Sequence, residues 1–319
     1  MGKSSNEREK VIRKMNKGEQ QYLDLLRDIL DNGEEQDDRT GTGTLSVFGR
    51  QLRFNMQDGF PLLTTKKMFT KGIITELCWM LSGETNIKPL LEQGNKIWVG
   101  DAYKQYEKRM KKLCIRGWDT KDQFIERVLN DEEFAQKFGN LGRIYGYQWR
   151  NWDTYEEDQI ENLINDIKTN PTSRRLMVTA WNPSDLNHCI LPPCHYGFQC
   201  RVSNGKLDLM WSQRSVDAPL GLGFNIASYA FLLHILAGIT NLTPNNLFGS
   251  LGDCHIYKNQ IDGINEQLTR EPKPFPTLEF SDNINFGGSI DEFLESFTWE
   301  DFIIKGYDPY PTIKMPLSN

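Results

Sequence analysis

The longest apolar run in the chain, "YAFLLHILAGI" from Tyr229 to Ile239, falls short of the ~20 residues that a membrane-spanning helix needs and carries His234. It reads as the end of a buried helix over Phe224–Ile239, and a buried helix must be covered by other elements on its remaining faces. A chain of 319 residues can supply that cover as one large domain.

The flanking segments are of mixed type. "GEQQYLDLLRDILDNG" spaces Tyr22, Leu25, Leu26, Ile29 and Leu30 at helical intervals and stops at Gly33. "TKGIITELCWMLSGETN" predicts a second helix over Thr70–Leu81 with one acid, Glu76, among apolar residues. "QIENLINDIKTNP" predicts another, halted before Pro171. Alternating runs predict strands after the Gly/Thr turn at residues 40–43, in "RRLMVTAW", over Tyr196–Val202, over Lys206–Ser212 across a "SNG" turn, and near "LFGSLGD". A further helix is expected after Tyr257. Residues 101–140 change texture to a charged, helix-prone segment with little continuous apolar surface, as expected of a surface insertion. Irregular alternation of helices and strands favours an α+β domain with one large sheet over a regular doubly wound fold.

Net charge is −6, so no overall basic field draws the chain to nucleic acid or to an anionic membrane, and an anionic ligand must be held by local arginines. The first twenty residues have no apolar core flanked by a cleavage site, and a cytoplasmic location is expected. Six cysteines without a C-x-x-C pair indicate neither a disulfide framework nor a zinc site.

Cys194 stands apart from the other five. It lies in "LPPCHYGFQC", behind two prolines that stiffen its approach and beside His195 at a strand entrance. A cysteine is a nucleophile as thiolate, which nearby positive charge favours. Arginines occur as the tandem Arg174–Arg175 at a strand start, as Arg214 beside Ser215 at a strand end, and as Arg39 on the Gly/Thr turn. Planar guanidinium forks and a hydroxyl suit phosphate oxygens. "GLGFN" lacks the full pattern of a nucleotide-binding loop. A Cys-His hydrolase built on Cys194 would leave the arginine sets without a role, and a catalytically silent pyrimidine-nucleotide binder is a third reading.

The blocks "DRTGTGTLSVFG", "FPLLTTKK", "ELCWMLSGETN", "LGRIYGYQWRNW", "SRRLMVTAWNP", "LPPCH", "QRSVDAPLGLGFNIASYA", "GDCHIYKNQ" and "YDPYPTIK", in this order, resemble the thymidylate synthase family. The resemblance covers the chain outside about 1–18 and 101–140. It implies an N-terminal extension over 1–18, one catalytic domain over 19–319, and a large mixed sheet packed with helices, with two chains joined sheet to sheet as a homodimer. It implies dUMP as substrate and 5,10-methylenetetrahydrofolate as co-substrate, with no metal.

Cys194 is then implied as the nucleophile adding to C6 of the uracil ring, and Arg214 as both a phosphate ligand and the cation beside the thiol. Arg39, Arg214 and Ser215 would hold phosphate from one chain, with Arg174 and Arg175 reaching over from the other. Glu76 matches the buried acid that handles proton transfers, Tyr145 the tyrosine linked to loss of the C5 proton, and His195 a supporting group. His255 and Tyr257 would bind the deoxyribose hydroxyl. Asn225 would donate to O4 and accept from N3–H, which selects uracil over cytosine. The folate would meet Leu191, Asp217, Leu220, Gly221 and Phe224, with Asp217 also among the catalytic groups, Ile97 and Trp98 on the folate's ring system and Lys66 at its glutamate tail.

Three departures from the family pattern fall on the folate side. The sequence finishes in the polar Ser318 and Asn319, Val99 and Asp101 follow Trp98 where aspartate and tryptophan are common, and Gly223 replaces the proline of "GLPFN". A folate side more open to water would hydrate the C5 methylene and give 5-hydroxymethyl-dUMP. The departures therefore favour a phage-type deoxyuridylate hydroxymethylase, with dTMP formation by thymidylate synthase as the alternative.

Overall fold

Residues 223–239 are the element around which the rest is arranged. In the computed structural model, which describes residues 16–38, 40–152 and 157–318, the helices are α1 (Lys17–Asn32), α2 (Thr70–Leu81), α3 (Lys88–Glu92), α4 (Val99–Lys112), α5 (Lys121–Asn130), α6 (Glu132–Phe138), α7 (Tyr145–Arg150), α8 (Gln159–Thr169), α9 (Gly223–Ile239), α10 (Ile261–Leu268) and α11 (Ile290–Ser296). The strands are β1 (Glu34–Gln36), β2 (Thr44–Asn55), β3 (Met177–Thr179), β4 (His195–Ser203), β5 (Lys206–Asp217), β6 (Thr243–Tyr257), β7 (Thr277–Phe280) and β8 (Phe302–Lys305). Arg39 and most of the N-terminal extension lie outside the described residues.

α9 is apolar on every side because every side is covered. It packs on β5 and β6 and against α2, and most of its residues are fully buried. Taken with the turn before it, Ala218–Ile239 is a 22-residue apolar segment, twice the run read from the sequence, and most of it is enclosed by the protein.

The sheet has the order β1-β2-β6-β5-β4-β3 and is mixed: β5 and β6 run parallel and the other pairs antiparallel. β6 is 15 residues long, far more than the short strand expected at "LFGSLGD", because it is the central strand bonded along both edges. Gly249 on β6 faces Trp211 on β5, where a Cβ would come within 2.5 Å of the indole, so glycine makes room for the buried tryptophan. Trp211 in turn stacks on Tyr229 of α9, with centroids 5.4 Å apart. β3 covers only Met177–Thr179, so the strand expected over residues 174–181 is shorter than its β-propensity suggested.

Residues 101–140 also differ from expectation. α4, α5 and α6 bury Ala102, Tyr106, Met110, Phe124, Val128, Phe134 and Ala135, so the segment carries an aromatic cluster, continuous with the main core, beneath a charged exterior. Ala102, Tyr106 and Met110 recur every four residues, a stripe that the intervening charges dilute in the sequence.

The start of α1 sets the loop before α2. Asn16 caps the helix through Glu19 N–H, and the buried Glu19 carboxylate accepts from the backbone N–H and hydroxyl of both Thr64 and Thr65, at 2.6–2.9 Å. Glu19→Ala would leave those buried donors without partners, at a cost of about 3 kcal/mol or more. A urea unfolding midpoint unchanged by the substitution would show that the loop does not depend on Glu19.

Candidate active site

β4 and β5 bring Cys194 and Arg214 together. The Arg214 N–H donates to the Cys194 carbonyl at 2.9 Å, its Nε to Pro193 O at 2.9 Å, and its Nη2 to Pro192 O at 2.9 Å, with Nη2 3.6 Å from Cys194 Sγ. The face of Trp181 lies 5.7 Å from the guanidinium carbon. A bulge between His195 and Gly197 interrupts the β4–β5 register next to the thiol, a common device for re-aiming a residue at a site.

The approach to Cys194 is tied down from the other side. Gly142 at φ +81° meets His188 and Cys189, where a Cβ would lie 2.0 Å from His188 O, and Ile190 N–H donates to Leu141 O. The Tyr145 hydroxyl accepts from Cys194 N–H at 2.8 Å. Its ring stacks on His195 at 4.3 Å and lies 6.1 Å from Trp98. Burial holds the Tyr145 phenol well above its ordinary value, so it is protonated at neutral pH.

His195 is a neutral group. Its Nδ1 is 2.9 Å from the Tyr229 hydroxyl, and burial pushes its pKa down to about 3. It therefore lends no positive charge to the adjacent thiol; Arg214 does. Glu76 lies on α2 with Oε1 accepting from Trp98 Nε1 at 2.9 Å, and burial raises its pKa to about 7.

Asn225 sits in the first turn of α9, and its Oδ1 accepts from Gln213 Nε2 at 3.1 Å. The Gln213 amide also spans Trp211 Nε1 and Ser215 O. Gln213 is a site-shaping residue that the sequence reading missed. It neighbours Arg214, but alternation on a strand sends the two side chains to opposite faces, so adjacency gave no signal. His255 Nδ1 lies 2.6 Å from Asp253 Oδ1, and Ser46 donates to Asp253 Oδ2 at 2.9 Å. Tyr257 stands edge-on to His255.

Asp217 ends β5 and caps a π-helical turn, Ala218–Leu222, by accepting from Leu220 N–H at 3.0 Å. Burial raises its carboxyl above the ordinary range. Leu220, Gly221 and Phe224 are half-buried along this turn and the start of α9, Leu191 is half-buried before the double proline, and Ile97 is exposed beside half-buried Trp98.

One expected placement differs. Lys66, assigned to a glutamate tail, is buried, and its Nζ donates to the Pro219 carbonyl; it braces the turn from beneath, and burial lowers its pKa to about 8. Arg174 and Arg175 are exposed at the start of β3, and neither is brought to Cys194 within this chain. Arg39 lies outside the described residues. Among the described residues no cluster of three His, Cys, Asp or Glu is arranged to hold a metal.

Contacts through Trp98 and Tyr145, and through Gln213, connect the Glu76 carboxyl and the Asn225 amide to the Cys194–Arg214 pair. Residues 20–319 match the family model for thymidylate synthase. The chain is similar to the thymidylate synthases of Listeria innocua serovar 6a and Listeria monocytogenes serotype 4a, each 43% identical over 321 residues that cover 93% of this chain and 99% of the relative. It is a methylenetetrahydrofolate-dependent transferase acting at C5 of dUMP. The chain belongs to the thymidylate synthase family.

Glu76 gives a pH test. Its pKa rises from 4.5 to about 7 on folding, so between those values the folded chain binds a proton that the unfolded chain has lost, and stability falls as pH rises. Glu76→Gln is neutral throughout. Relative to this variant, the wild type should lose about 3 kcal/mol between pH 4.5 and pH 7. Parallel stability curves for the two proteins over that window would contradict the burial of an acid at this position.

Proposed function

We propose that the chain is a thymidylate synthase, converting dUMP and 5,10-methylenetetrahydrofolate to dTMP and dihydrofolate, in preference to the hydroxymethylase expected from the sequence. The observation that carries this is the 43% identity to enzymes named thymidylate synthase over 93% of the chain. The departures that favoured hydroxymethylation also have local causes. Val99 is 2% exposed, a core position. A Cβ at Gly223 would lie 2.6 Å from Leu63 Cδ1, so a proline here would meet the Leu63 side chain. Asp101 stands in the first turn of α4, where an acid suits the helix dipole. Ser318 Oγ accepts from Asn259 Nδ2 at 3.2 Å, so this polar residue is docked on the protein.

In this reading the Arg214 charge favours the Cys194 thiolate, which adds to C6 of dUMP and leaves C5 enolate-like, ready to bond to the folate methylene. Asn225, held by Gln213, reads the O4 and N3–H edge. Glu76, poised near neutrality, handles protons at the base carbonyl and folate, and protonated Tyr145 positions Cys194. His195 supports the Tyr145 ring. Arg214 and Ser215, with Arg39, hold phosphate, and His255 and Tyr257 take the deoxyribose. Ile97, Trp98, Leu191, Asp217, Leu220, Gly221 and Phe224 face the folate. Residues 19–319 act as one catalytic unit, which a core running unbroken from Tyr22 to Phe302 supports, and its place is the cytoplasm.

We further propose a homodimer joined through the open face of the sheet. Phe248, Met210, Gln199 and Met177 lie in register from β6 to β3 on one face, with Met177 59% exposed and Phe48 79% exposed. A partner would cover this row, and Arg174 and Arg175 at its edge would complete the partner's phosphate site.

Incubation with dUMP and methylenetetrahydrofolate should yield dTMP with stoichiometric dihydrofolate; 5-hydroxymethyl-dUMP with tetrahydrofolate would reverse the choice of product. Cys194→Ala should abolish turnover while dUMP still binds. Mixed with Arg174→Ala chains, it should recover about a quarter or less of wild-type activity, since only one of the two sites in a hybrid dimer is intact. Hybrids that form without any activity would disprove the shared site.

A further inference from the structure

We propose that Gln260 is a positioning residue that joins the segment 307–318 to Asp217, so that seating this segment and fixing the folate-side carboxylate are one event. This rests on the reading of Asp217 as a folate-facing group.

Gln260 is 1% exposed, and its amide is saturated across three pieces of chain. Oε1 accepts from Tyr257 N–H at 3.1 Å, while Nε2 donates to Asp217 Oδ2 at 2.9 Å and to Pro316 O at 3.1 Å. The other Asp217 oxygen caps the turn at Leu220, so the carboxylate is the link between that turn and Gln260. The segment is held further back by Tyr310 N–H on Thr64 O and by Arg270 Nη1, which donates to both Thr65 O and Pro311 O. Those contacts attach it to the α1–Thr64 network. The Gln260 bond attaches it to a proposed site residue.

The chemistry demands a neutral amide. Asp217 and Pro316 both present acceptors and Tyr257 presents a donor, a pattern that one glutamine satisfies completely. Glutamate at 260 would keep the Tyr257 bond, lose both donors and set a second carboxyl against Asp217. Leucine would keep the volume and lose all three bonds.

The test compares Gln260→Leu, Gln260→Glu, a chain lacking residues 316–319, and the Gln260→Leu chain with the same deletion. Each single change should lower kcat/KM for methylenetetrahydrofolate by about tenfold, leaving the dUMP dissociation constant within about threefold of wild type. The double change should be no worse than the more severe single one, because both break the same link. Effects that multiply, or folate and dUMP binding lost together with a lowered melting temperature, would overturn the proposal. Hydrogen exchange reads the link without turnover: Gln260→Leu should speed exchange in both 218–222 and 310–316. Acceleration confined to one segment, or seen in neither, would also overturn it. A wild type that makes no dTMP would count against the function; uncoupled effects in an active enzyme would count against Gln260.

Discussion

The Arg214 side chain is the constraint on which the site depends. Two successive prolines give Cys194 a stiff approach but remove two backbone donors, so the local chain cannot close its own hydrogen bonds. One guanidinium takes the Pro192 and Pro193 carbonyls, and its remaining reach puts positive charge 3.6 Å from the sulfur. The Arg214 backbone N–H binds the Cys194 carbonyl as well. A lysine offers a point charge without the planar fork and could not hold both carbonyls in this geometry. The position of the Cys194 thiol is thus inherited from β5, a central strand, and the loop conforms to it.

A second set of buried polar groups organises the opposite side. Glu19 holds Thr64 and Thr65, Lys66 reaches past them to Pro219, and Asp217 caps the turn that Lys66 supports. Two acids and one lysine share a poorly solvated region, where each charge is sustained by the hydrogen bonds around it and unpaired groups are costly. α1, the loop before α2 and the π-helical turn are therefore fixed relative to one another through side chains. Gln267, donating to the Thr65 hydroxyl from α10, belongs to the same network.

Much of the fold was legible because the signals were local. The predicted Thr70–Leu81 helix has those limits, and the buried helix predicted over Phe224–Ile239 begins one residue earlier, at Gly223. The lengths of β5 and β6 were not legible, since their ladder depends on a parallel pairing between segments separated by α9. The core of α4–α6 was hidden by the charges interleaved with its stripe. Within the site, Cys194 and Arg214 could be singled out by residue type, whereas Gln213 and Gln260 act through where their amides point, which composition does not encode. Lys66 shows the converse. The family resemblance implied a glutamate tail as its partner, and burial turned it toward the Pro219 carbonyl. Gly223 likewise makes sense only once Leu63 is seen in the space a proline would occupy.

The distribution of charge around Cys194 explains why neutral groups crowd one side of it. His195, Tyr145 and Tyr229 form a hydrogen-bonded and stacked cluster that burial keeps uncharged: a neutral imidazole and two protonated phenols. Were His195 cationic, a second positive group would compete with Arg214 for the thiolate and pay a desolvation penalty inside the core. The cluster instead fixes geometry through the Tyr145 bond to Cys194 N–H and leaves the positive charge to Arg214. Glu76, close enough to neutrality to exist in both protonation states, is then the group on this side whose charge can change near physiological pH. Keeping the cation beside Cys194 and the acid of raised pKa on separate elements, β5 and α2, lets each be tuned by its own burial and partners.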